Sequence, residues 1–302
     1  MNLEINLFGE RWSNPLIAAS GCFGFGREAS LRQNLSDWGG IASKGLTLSE
    51  RLGNPSPRMV ETPSGMLNSV GLQNPGIDYF LTNELPLMQN YGPKIIVNVA
   101  GNEFSDYEKM CEKLEDVDIT AIELNLSCPN VSSGCMSLGS NPALIEKTVE
   151  LARKKTHHPL IAKLTPNTTD IAECARAAEA GGANAVSLVN TFLAMAIDLK
   201  TRRPVLKNNT GGLSGPAIKA IALRMVADVY RAVSIPVIGM GGISNGRDAL
   251  EFILAGSSAV QLGMVNFYRN SAALHIGNEM IEIANELGIN SVDELIGQLK
   301  YW

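Results

Sequence analysis

The stretch Glu123-Leu124-Asn125-Leu126-Ser127-Cys128-Pro129-Asn130 places an amide, a thiol and a helix-breaking proline at the end of a short apolar run. Polar groups at the end of a buried strand are typical of the catalytic face of an α/β barrel. Asn125 can donate hydrogen bonds to a polar ring and accept them from it. Cys128 can act as a proton acceptor or a nucleophile once it is ionised. The stretch therefore predicts a barrel strand with reacting groups beside it.

Similar apolar runs recur along the chain, with helical patterning between them. Eight are present, at residues 16–19, 41–43, 95–99, 122–126, 160–164, 185–189, 236–239 and 259–262. Regular alternation of short strands with helices favours a parallel sheet, and eight such units indicate an α/β fold of the (β/α)8, or TIM barrel, type.

Three of the intervening helices carry their own signals. Asn141 and Pro142 are typical of a helix start. In a second helix, apolar and small residues recur at the spacing that faces a core, which makes Cys174 a core residue; they are Ile171, Cys174, Ala175 and Ala178. A third helix is predicted over residues 216–233 with one apolar stripe. That stripe consists of Ile218, Ile221, Met225, Val229 and Val233.

Two connections, residues 45–94 and 190–215, are longer than most loops of a barrel. Both follow strand ends, so they are expected to extend over the C-terminal face of the strands. Their clusters of glycine, proline and asparagine favour ordered turns over helix.

The composition limits the class of protein. A chain of 302 residues with 45% hydrophobic residues can form one large core, and we predict a single domain over residues 1–302. A net charge of -5 offers no cationic surface for nucleic acid or for anionic membranes. The first dozen residues do not resemble a secretion signal, and no run is apolar enough to span a membrane, so a cytoplasmic protein is expected.

The cysteines do not suggest a metal site. The five, which are Cys22, Cys111, Cys128, Cys135 and Cys174, are scattered and lack the paired spacing of zinc or iron–sulfur ligands. We expect reduced thiols and no bound metal.

Two glycine-rich loops follow the seventh and eighth predicted strands, at Gly239-Met240-Gly241-Gly242 and Leu262-Gly263-Met264. Backbone without side chains allows several N–H groups to converge on an anion, and many barrels bind phosphate at this place. Either loop alone could serve only as a tight turn. The two together favour a phosphate site.

The other predicted strand ends carry amides and two lysines. They are Lys44, Asn98, Asn125, Lys163, Asn190 and Thr191, with Asn68 in the first long connection. Such a lining suits a flat heterocycle with alternating donors and acceptors. Lys163 lies inside a strand and needs a negative partner, which is either a reduced flavin or a carboxylate such as Glu123 or Asp170.

The usual general base is missing, because His157, His158 and His275 all lie outside strand ends. Cys128 is the best remaining base, and the alternative is a small apolar filler. A thiol base predicts activity that rises toward alkaline pH. The run Gly24–Ala29 fits the dinucleotide pattern GxGxxA, but it lies several residues after its strand and lacks the expected acidic residue, so we interpret it as a false signal.

Several motifs together resemble the dihydroorotate dehydrogenases. They are NLSCPN at 125–130, MLNSVGLQNPG at 66–76, NNTGGLSGPA at 208–217 and IGMGG at 238–242. The segments SGCFG at 20–24, GNPSPR at 53–58 and KLTPN at 163–167 are more similar to the bacterial NAD-linked subclass, called 1B, than to the fumarate-linked one.

The resemblance implies an FMN-dependent oxidation of (S)-dihydroorotate to orotate in pyrimidine biosynthesis. Cys128 would take a proton from C5 while a hydride leaves C6 for the flavin. FMN would be held by Ser20, Lys44, Gly45, Asn98, Asn125, Lys163, Val189, Gly215, Gly241, Gly242, Gly263 and Met264, of which the last four would hold its phosphate. The pyrimidine would be held by Lys44, Asn68, Ser69, Val70, Gly71, Leu72, Asn125, Asn190 and Thr191.

The resemblance also assigns further roles. Lys163 would act in catalysis by stabilising the anionic reduced flavin, and Lys44 would bind the substrate carboxylate. Residues 131–141 would form a lid that excludes water. The sequence departs from the family pattern at Cys135, Met136 and Ala194, which bears on the lid and on substrate fit.

In the 1B subclass a partner subunit carries FAD and an iron–sulfur cluster and passes electrons to NAD+. Neither cofactor is expected on this chain, which would form a homodimer within an α2β2 assembly. Three alternatives remain open at this stage. They are a flavoprotein that acts on uracil- or thymine-type dihydropyrimidines, a barrel that isomerises or cleaves a sugar phosphate, and an inactive flavin-binding partner of another subunit.

Overall fold

The computed structural model describes residues 1–127 and 138–302. Within them, eight parallel strands close into a barrel in chain order. The strands are β1 (Leu16–Ala18), β2 (Gly40–Ala42), β3 (Lys94–Val99), β4 (Ala121–Asn125), β5 (Leu160–Lys163), β6 (Ala185–Leu188), β7 (Val237–Met240) and β8 (Ser257–Leu262). Pairing of Val260 in β8 with Leu16 in β1 completes the closure. The predicted TIM barrel is confirmed.

The predicted apolar runs match these strands with ends that differ by one or two residues, the usual uncertainty of strand boundaries. The strands are almost wholly buried because helices cover their outer faces and packed side chains fill the interior. Polar residues that point into this interior therefore stand out as unusual.

Helices follow the strands around the barrel. Their bounds are Arg27–Ser30, Ile77–Tyr79, Leu85–Met88, Phe104–Leu114, Pro142–Arg153, Ile171–Ala180, Lys219–Tyr230, Gly246–Leu254 and Ala272–Leu287, with a π-helical turn at Phe80–Glu84. Shorter 3₁₀ turns lie at Leu35–Asp37, Leu138–Ser140, Pro216–Ile218 and Met264–Phe267. The predicted helix start at Asn141 is confirmed, because its side chain accepts a hydrogen bond from the Leu144 N–H at 3.3 Å. Cys174 is buried, as predicted.

The predicted helix over 216–233 was wrong in two respects. It begins as a 3₁₀ turn at Pro216–Ile218 and continues as an α-helix only to Tyr230. In the α-helical part, the buried residues Ala222, Met225, Val226 and Val229 recur at ordinary α-helical spacing, and Ile221 lies at the edge of the face they form. Ile221, which was assigned to the core stripe, is 46% exposed, whereas Ala222 and Val226 are buried.

The two long connections were expected to form turns, and this prediction was also incomplete. Parts of both pair into an antiparallel sheet of four strands in the order Phe192–Ala194, Gly211–Ser214, Gly65–Asn68 and Met59–Thr62. The glycines serve close packing here. A Cβ at Gly212 would overlap the side chain of Thr191, and a Cβ at Gly65 would overlap the carbonyl oxygen of Ser214. The same first connection also contains the helical turns at residues 77–88.

Among the described residues, none of the helices combines the length and the apolar composition that crossing a membrane requires. A small hairpin of Ile5–Leu7 and Glu10–Trp12 precedes the barrel, and Trp12 from it is fully buried. A Cβ at Gly40, the first residue of β2, would lie 2.6 Å from the Trp12 ring, so the hairpin packs at the amino-terminal end of the strands. The opposite, carboxyl end is left for the site.

Candidate active site

The carboxyl ends of neighbouring strands bring four of the predicted polar residues together. Asn98 lies in β3, Asn125 ends β4, Lys163 ends β5 and Lys44 follows β2 by two residues. Asn125 and Lys163 are direct neighbours across the β4–β5 pair. Because the carboxyl ends of parallel strands meet at one rim, these side chains line one mouth.

Below this mouth lies a fully buried carboxylate, Glu123, which forms the centre of a polar cluster. Its Oε2 accepts a hydrogen bond from Asn98 Nδ2 at 2.6 Å, and Lys163 Nζ lies 3.4 Å from the same oxygen. Its Oε1 accepts from Ser187 Oγ at 2.8 Å and from Gln261 Nε2 at 2.6 Å. The four donors come from β3, β5, β6 and β8.

Lys163 therefore has a negative partner within the chain. Both members of the pair are buried, with Lys163 4% exposed and Glu123 0% exposed. The other carboxylate considered, Asp170, accepts instead from the Glu173 N–H at 2.9 Å and caps the helix Ile171–Ala180. The burial of Lys163 alone thus does not require a flavin.

The carboxamide of Asn98 has one bonded end and one unbonded end. Its Nδ2 donates to Glu123, whereas its Oδ1 is buried without a hydrogen-bond partner among the described residues. A Cβ at Gly45 would lie 2.9 Å from this Oδ1 and 3.4 Å from Cδ2 of Leu72. Gly45, Asn98 and Leu72 thus meet at the mouth, where the amide oxygen presents an acceptor.

Glycines from three loops form a tight cradle at the other side of the mouth. Gly215, Gly241 and Gly242 all have positive φ, at 99°, 125° and 79°. A Cβ at Gly242 would lie 2.7 Å from the carbonyl oxygen of Gly215, and one at Gly215 would overlap Sδ of Met264. Only glycine combines these dihedral angles with such close approach.

Val189 and Gly263 complete the same side. A Cβ at Gly241 would lie 3.2 Å from Cγ2 of Val189, and one at Gly263 would lie 3.5 Å from Sγ of Cys22. The glycine-rich loops after β7 and β8 therefore converge with the loop that carries Gly215. Such converging backbone suits a phosphate.

Among the predicted pyrimidine-binding residues, Asn68 lies in the sheet formed by the two long connections, and Asn190 and Thr191 directly precede its edge strand Phe192–Ala194. Asn68 Nδ2 donates to the carbonyl oxygen of Gly212 at 3.4 Å, and Gly212 packs against Thr191. Asn190 Oδ1 accepts from the Thr191 N–H at 2.8 Å. The segment Ser69, Val70, Gly71 and Leu72 continues from Asn68. Leu72 there adopts a φ of 54°, and Ser69 Oγ is buried with no partner in the described part of the chain.

Burial and neighbouring charges shift the pKa values of Lys44 and Cys22 at the mouth. Burial lowers the pKa of Lys44, and Arg58 lowers it further, although Cys22 opposes the shift. Burial raises the pKa of the Cys22 thiol, while the positive charges of Lys163 and Lys44 partly counteract that effect. Cys22 was not predicted as a site residue, and its position after β1 within the segment 20–24 was the available signal.

These residues fit a phosphorylated planar group such as FMN. The glycine cradle matches a phosphate, the unbonded Asn98 Oδ1 matches a ring donor, and Lys44 and Lys163 supply positive charge. Ser20, the remaining predicted FMN ligand, lies two residues beyond β1 on the same rim.

Other predicted residues lie outside the described residues. These are the proposed base Cys128, the departures Cys135 and Met136, and most of the predicted lid 131–141. The end of that segment, Leu138–Ser140, is a 3₁₀ turn with Leu138 and Gly139 buried. Ala194 ends the strand Phe192–Ala194 and pairs with Gly211.

Comparison with known proteins agrees with this geometry. The family model described as "Dihydroorotate dehydrogenase" matches residues 2–284. A protein of Thermoanaerobacter pseudethanolicus is 50% identical over 302 residues, and one of Alkaliphilus oremlandii is 48% identical over 298 residues. Each match covers 99% of this chain and 99% of the relative. Both relatives are named "Dihydroorotate dehydrogenase B (NAD(+)), catalytic subunit".

Proposed function

The chain belongs to the dihydroorotate dehydrogenase family, and we propose that it is the catalytic subunit of an NAD+-linked dihydroorotate dehydrogenase. Its reaction would be the oxidation of (S)-dihydroorotate to orotate in pyrimidine biosynthesis. The alternative substrates, uracil- or thymine-type dihydropyrimidines, are not supported, because the matched family and the relatives carry the dihydroorotate dehydrogenase name. The same names argue against a sugar-phosphate enzyme and against an inactive subunit.

One observation carries the proposal, namely that a cradle of glycines and a rim of amides and lysines share one barrel mouth. Gly241, Gly242, Gly263 and Met264 would hold the FMN phosphate, and Gly215, which packs against Gly242 and Met264, would hold FMN beside them. The ring would be held by the remaining assigned residues, which are Ser20, Lys44, Gly45, Asn98, Asn125, Lys163 and Val189. When bound, FMN supplies the acceptor for the hydride that leaves C6 of the substrate.

The chain's own residues orient the substrate and move the proton. Lys44 is a half-buried cation at the mouth and would pair with the substrate carboxylate. Asn68, Asn190 and Thr191, with the segment Ser69 to Leu72, would bind the ring edges. Cys128 as thiolate would take the proton from C5, so that the substrate loses one proton and one hydride in total.

The electrons would leave through a partner subunit that carries FAD and an iron–sulfur cluster and reduces NAD+. The relatives' name "catalytic subunit" supports a partner. Around the strand Phe192–Ala194, the side chains of Leu193, Ile197 and Leu199 are exposed by 68%, 61% and 86%. Exposed apolar side chains this close in sequence suit a protein interface, and we propose a homodimer within an α2β2 assembly. The cytoplasmic location stays a prediction.

Anaerobic mixing of the purified yellow protein with dihydroorotate tests the proposal. We expect the visible absorbance of the flavin to bleach, and dihydrouracil, which lacks the carboxylate, to bleach it far more slowly. A colourless protein that does not take up added FMN would contradict the proposal. Equal bleaching by both compounds would reassign the substrate.

A further inference from the structure

The buried carboxylate of Glu123 is the only acidic side chain in contact with the polar rim among the described residues, and the roles assigned to the mouth do not include it. It receives hydrogen bonds from Asn98, Ser187 and Gln261, and it faces the Lys163 ammonium at 3.4 Å. Complete burial of a carboxylate is costly, and so many convergent donors offset that cost. Such a cluster in a barrel interior calls for an explanation beyond packing.

Glu123 determines which end of the Asn98 carboxamide faces the mouth. A carboxylate only accepts hydrogen bonds, so the Asn98 end that lies 2.6 Å from it must be the NH2 group. The oxygen is therefore the end directed away from Glu123, on the side of Gly45. With any other arrangement, two acceptors would face each other in a buried place.

Glu123 also balances the charge of Lys163. The ammonium lies between this carboxylate below and the mouth above, so part of its field is neutralised. In a poorly solvated interior such a neighbouring charge acts strongly on anything bound nearby. Removal of the negative charge would leave the lysine's positive charge acting on the mouth alone.

We propose that Glu123 is a positioning residue of the cofactor site: it orients Asn98 so that its oxygen accepts from the bound flavin, and it offsets the Lys163 charge and so sets the flavin's reduction potential. The inference rests on the proposed function, because it concerns the FMN site of the same mouth.

Two conservative variants separate the two roles. In Glu123→Gln, the side-chain oxygen can remain toward Asn98 and Lys163, which are both donors, while the new NH2 faces the Ser187 hydroxyl and Gln261. The Gln261 amide can turn, since its Oε1 has no partner among the described residues. This variant therefore removes the charge and keeps the orientation of Asn98. Glu123→Asp keeps the charge but withdraws the carboxylate from Asn98 by one methylene.

The measurements are the midpoint potential of bound FMN and the dissociation constant of oxidised FMN, read from fluorescence. For Glu123→Gln we expect the reduction equilibrium to shift about tenfold toward reduced flavin. For a two-electron couple, this shift makes the midpoint potential about 30 mV more positive. Its affinity for oxidised FMN should stay near that of the wild type. For Glu123→Asp we expect the opposite pattern, with affinity lowered about tenfold and the potential nearly unchanged.

Ser257→Ala is the matched control. Ser257 is a fully buried β8 residue whose Oγ has no partner in the described part of the chain. A Cβ at Gly239 would meet both this Oγ and the ring of Phe252, so the substitution perturbs buried packing between β7 and the helix Gly246–Leu254. It does not touch Glu123 or the rim, and it should change neither quantity. A purely structural role of Glu123 would lower stability and leave the potential in place.

An unchanged or more negative potential in Glu123→Gln would overturn the charge role, and unchanged FMN affinity in Glu123→Asp would overturn the orienting role. If Glu123→Gln alone does not fold, Glu123→Asp decides the orienting role. The difference in potential between Lys163→Met and the double variant Lys163→Met with Glu123→Gln then decides the charge role, and no difference would overturn it. If dihydroorotate bleaches the wild-type protein, and both Glu123 variants match the wild type in potential and in FMN affinity, this inference alone is overturned. A wild-type protein that binds no FMN would overturn the proposed function and this inference together.

Discussion

Asn98 and Glu123 are direct neighbours across barrel strands β3 and β4, and Nδ2 of the amide lies 2.6 Å from Oε2 of the carboxylate. Their side chains point to the same face because residues opposite each other in adjacent strands share a face. Asn125, two residues beyond Glu123, lies on that face one layer closer to the mouth. The rim of the site is thus built directly on a buried polar layer.

As the pH rises, the affinity for orotate should begin to fall at a lower pH than it would with a lysine of ordinary pKa. Burial lowers the pKa of Lys44 from 10.5, and only the protonated amine pairs with a carboxylate. As the pH passes the lowered pKa, the free protein loses this proton, and binding must take it up again. We expect affinity to drop by up to about tenfold per pH unit above that point. A titration of orotate binding measures this, with Lys44→Met as the control that should bind weakly and lack this drop.

Replacement of Gly242 by alanine should abolish FMN retention. Gly242 has a φ of 79°, and a Cβ there would lie 2.7 Å from the carbonyl oxygen of Gly215 in the cradle. Gly288→Ala is the matched control, because its φ is 72° and no atom of the described residues lies within 4 Å of the new Cβ. The backbone conformation should cost each variant about 1 kcal/mol of stability, and the close contact adds to that cost in Gly242→Ala. Only Gly242→Ala should lower the flavin content of the purified protein, and equal retention in both would argue against the cradle.

Cys128→Ser should keep FMN but slow its reduction by dihydroorotate by at least about 100-fold near neutral pH. A hydroxyl is a far weaker base than a thiolate, so the proton at C5 would have no efficient acceptor. The prediction comes from the sequence, and stopped-flow measurement of flavin bleaching tests it. Cys135→Ser, a change of the neighbouring thiol, should react at nearly the wild-type rate. Unchanged bleaching in Cys128→Ser would remove Cys128 from the mechanism.

Alkylation of the native protein should distinguish its thiols. Cys22 is half-buried near Lys44 and Lys163, and burial raises its pKa, so it should react slowly in FMN-free protein and more slowly once FMN is bound. Burial raises the pKa of Cys111 to about 12, so this thiol should stay unmodified in either form. Peptide mass spectrometry after treatment with N-ethylmaleimide measures both. Equal labelling of Cys22 with and without FMN would place the thiol away from the bound cofactor.

Lys163→Met should destabilise the FMN-free protein by about 3 kcal/mol, because it leaves the buried Glu123 charge without its cation. The double variant Lys163→Met with Glu123→Gln should recover part of this loss, since it removes the unpaired charge as well. Lys219→Met is a control that breaks the more exposed ion pairs of Lys219 with Asp248 and Glu251, and it should cost less than Lys163→Met. Urea unfolding of the three variants gives the free energies. A loss no greater than that of Lys219→Met would mean that the buried pair contributes little.

The barrel could be predicted because the apolar composition of each strand indicates that the strand is buried. A strand covered on both faces must be apolar along its length, so runs such as 95–99 and 160–164 mark β3 and β5 within one residue. Capping side chains act over three residues, and Asn141 therefore marks its helix directly. Cys174 was assigned to the core on the same kind of local spacing.

Predictions failed where a distant partner or the exact orientation of a helix decides the outcome. Ile221 is exposed because the buried face of its helix is formed by Ala222, Val226 and Val229, and Ile221 lies at the edge of that face. Gly211 and Gly212 resembled turn residues, but they lie in a strand that pairs with Gly65–Asn68, far away in the sequence. Local propensity carries no information about such pairing.

The amino-acid sequence by itself determined the parallel barrel, the rim of amides and lysines, the glycine loops and the family resemblance, because burial and turn chemistry act on neighbouring residues. Only the tertiary structure decided that Lys163 faces Glu123, that the oxygen of Asn98 points to the mouth, and that the charges of Lys44 and Lys163 act on Cys22. Those relationships join residues on different strands, and barrel closure fixes the distances between them.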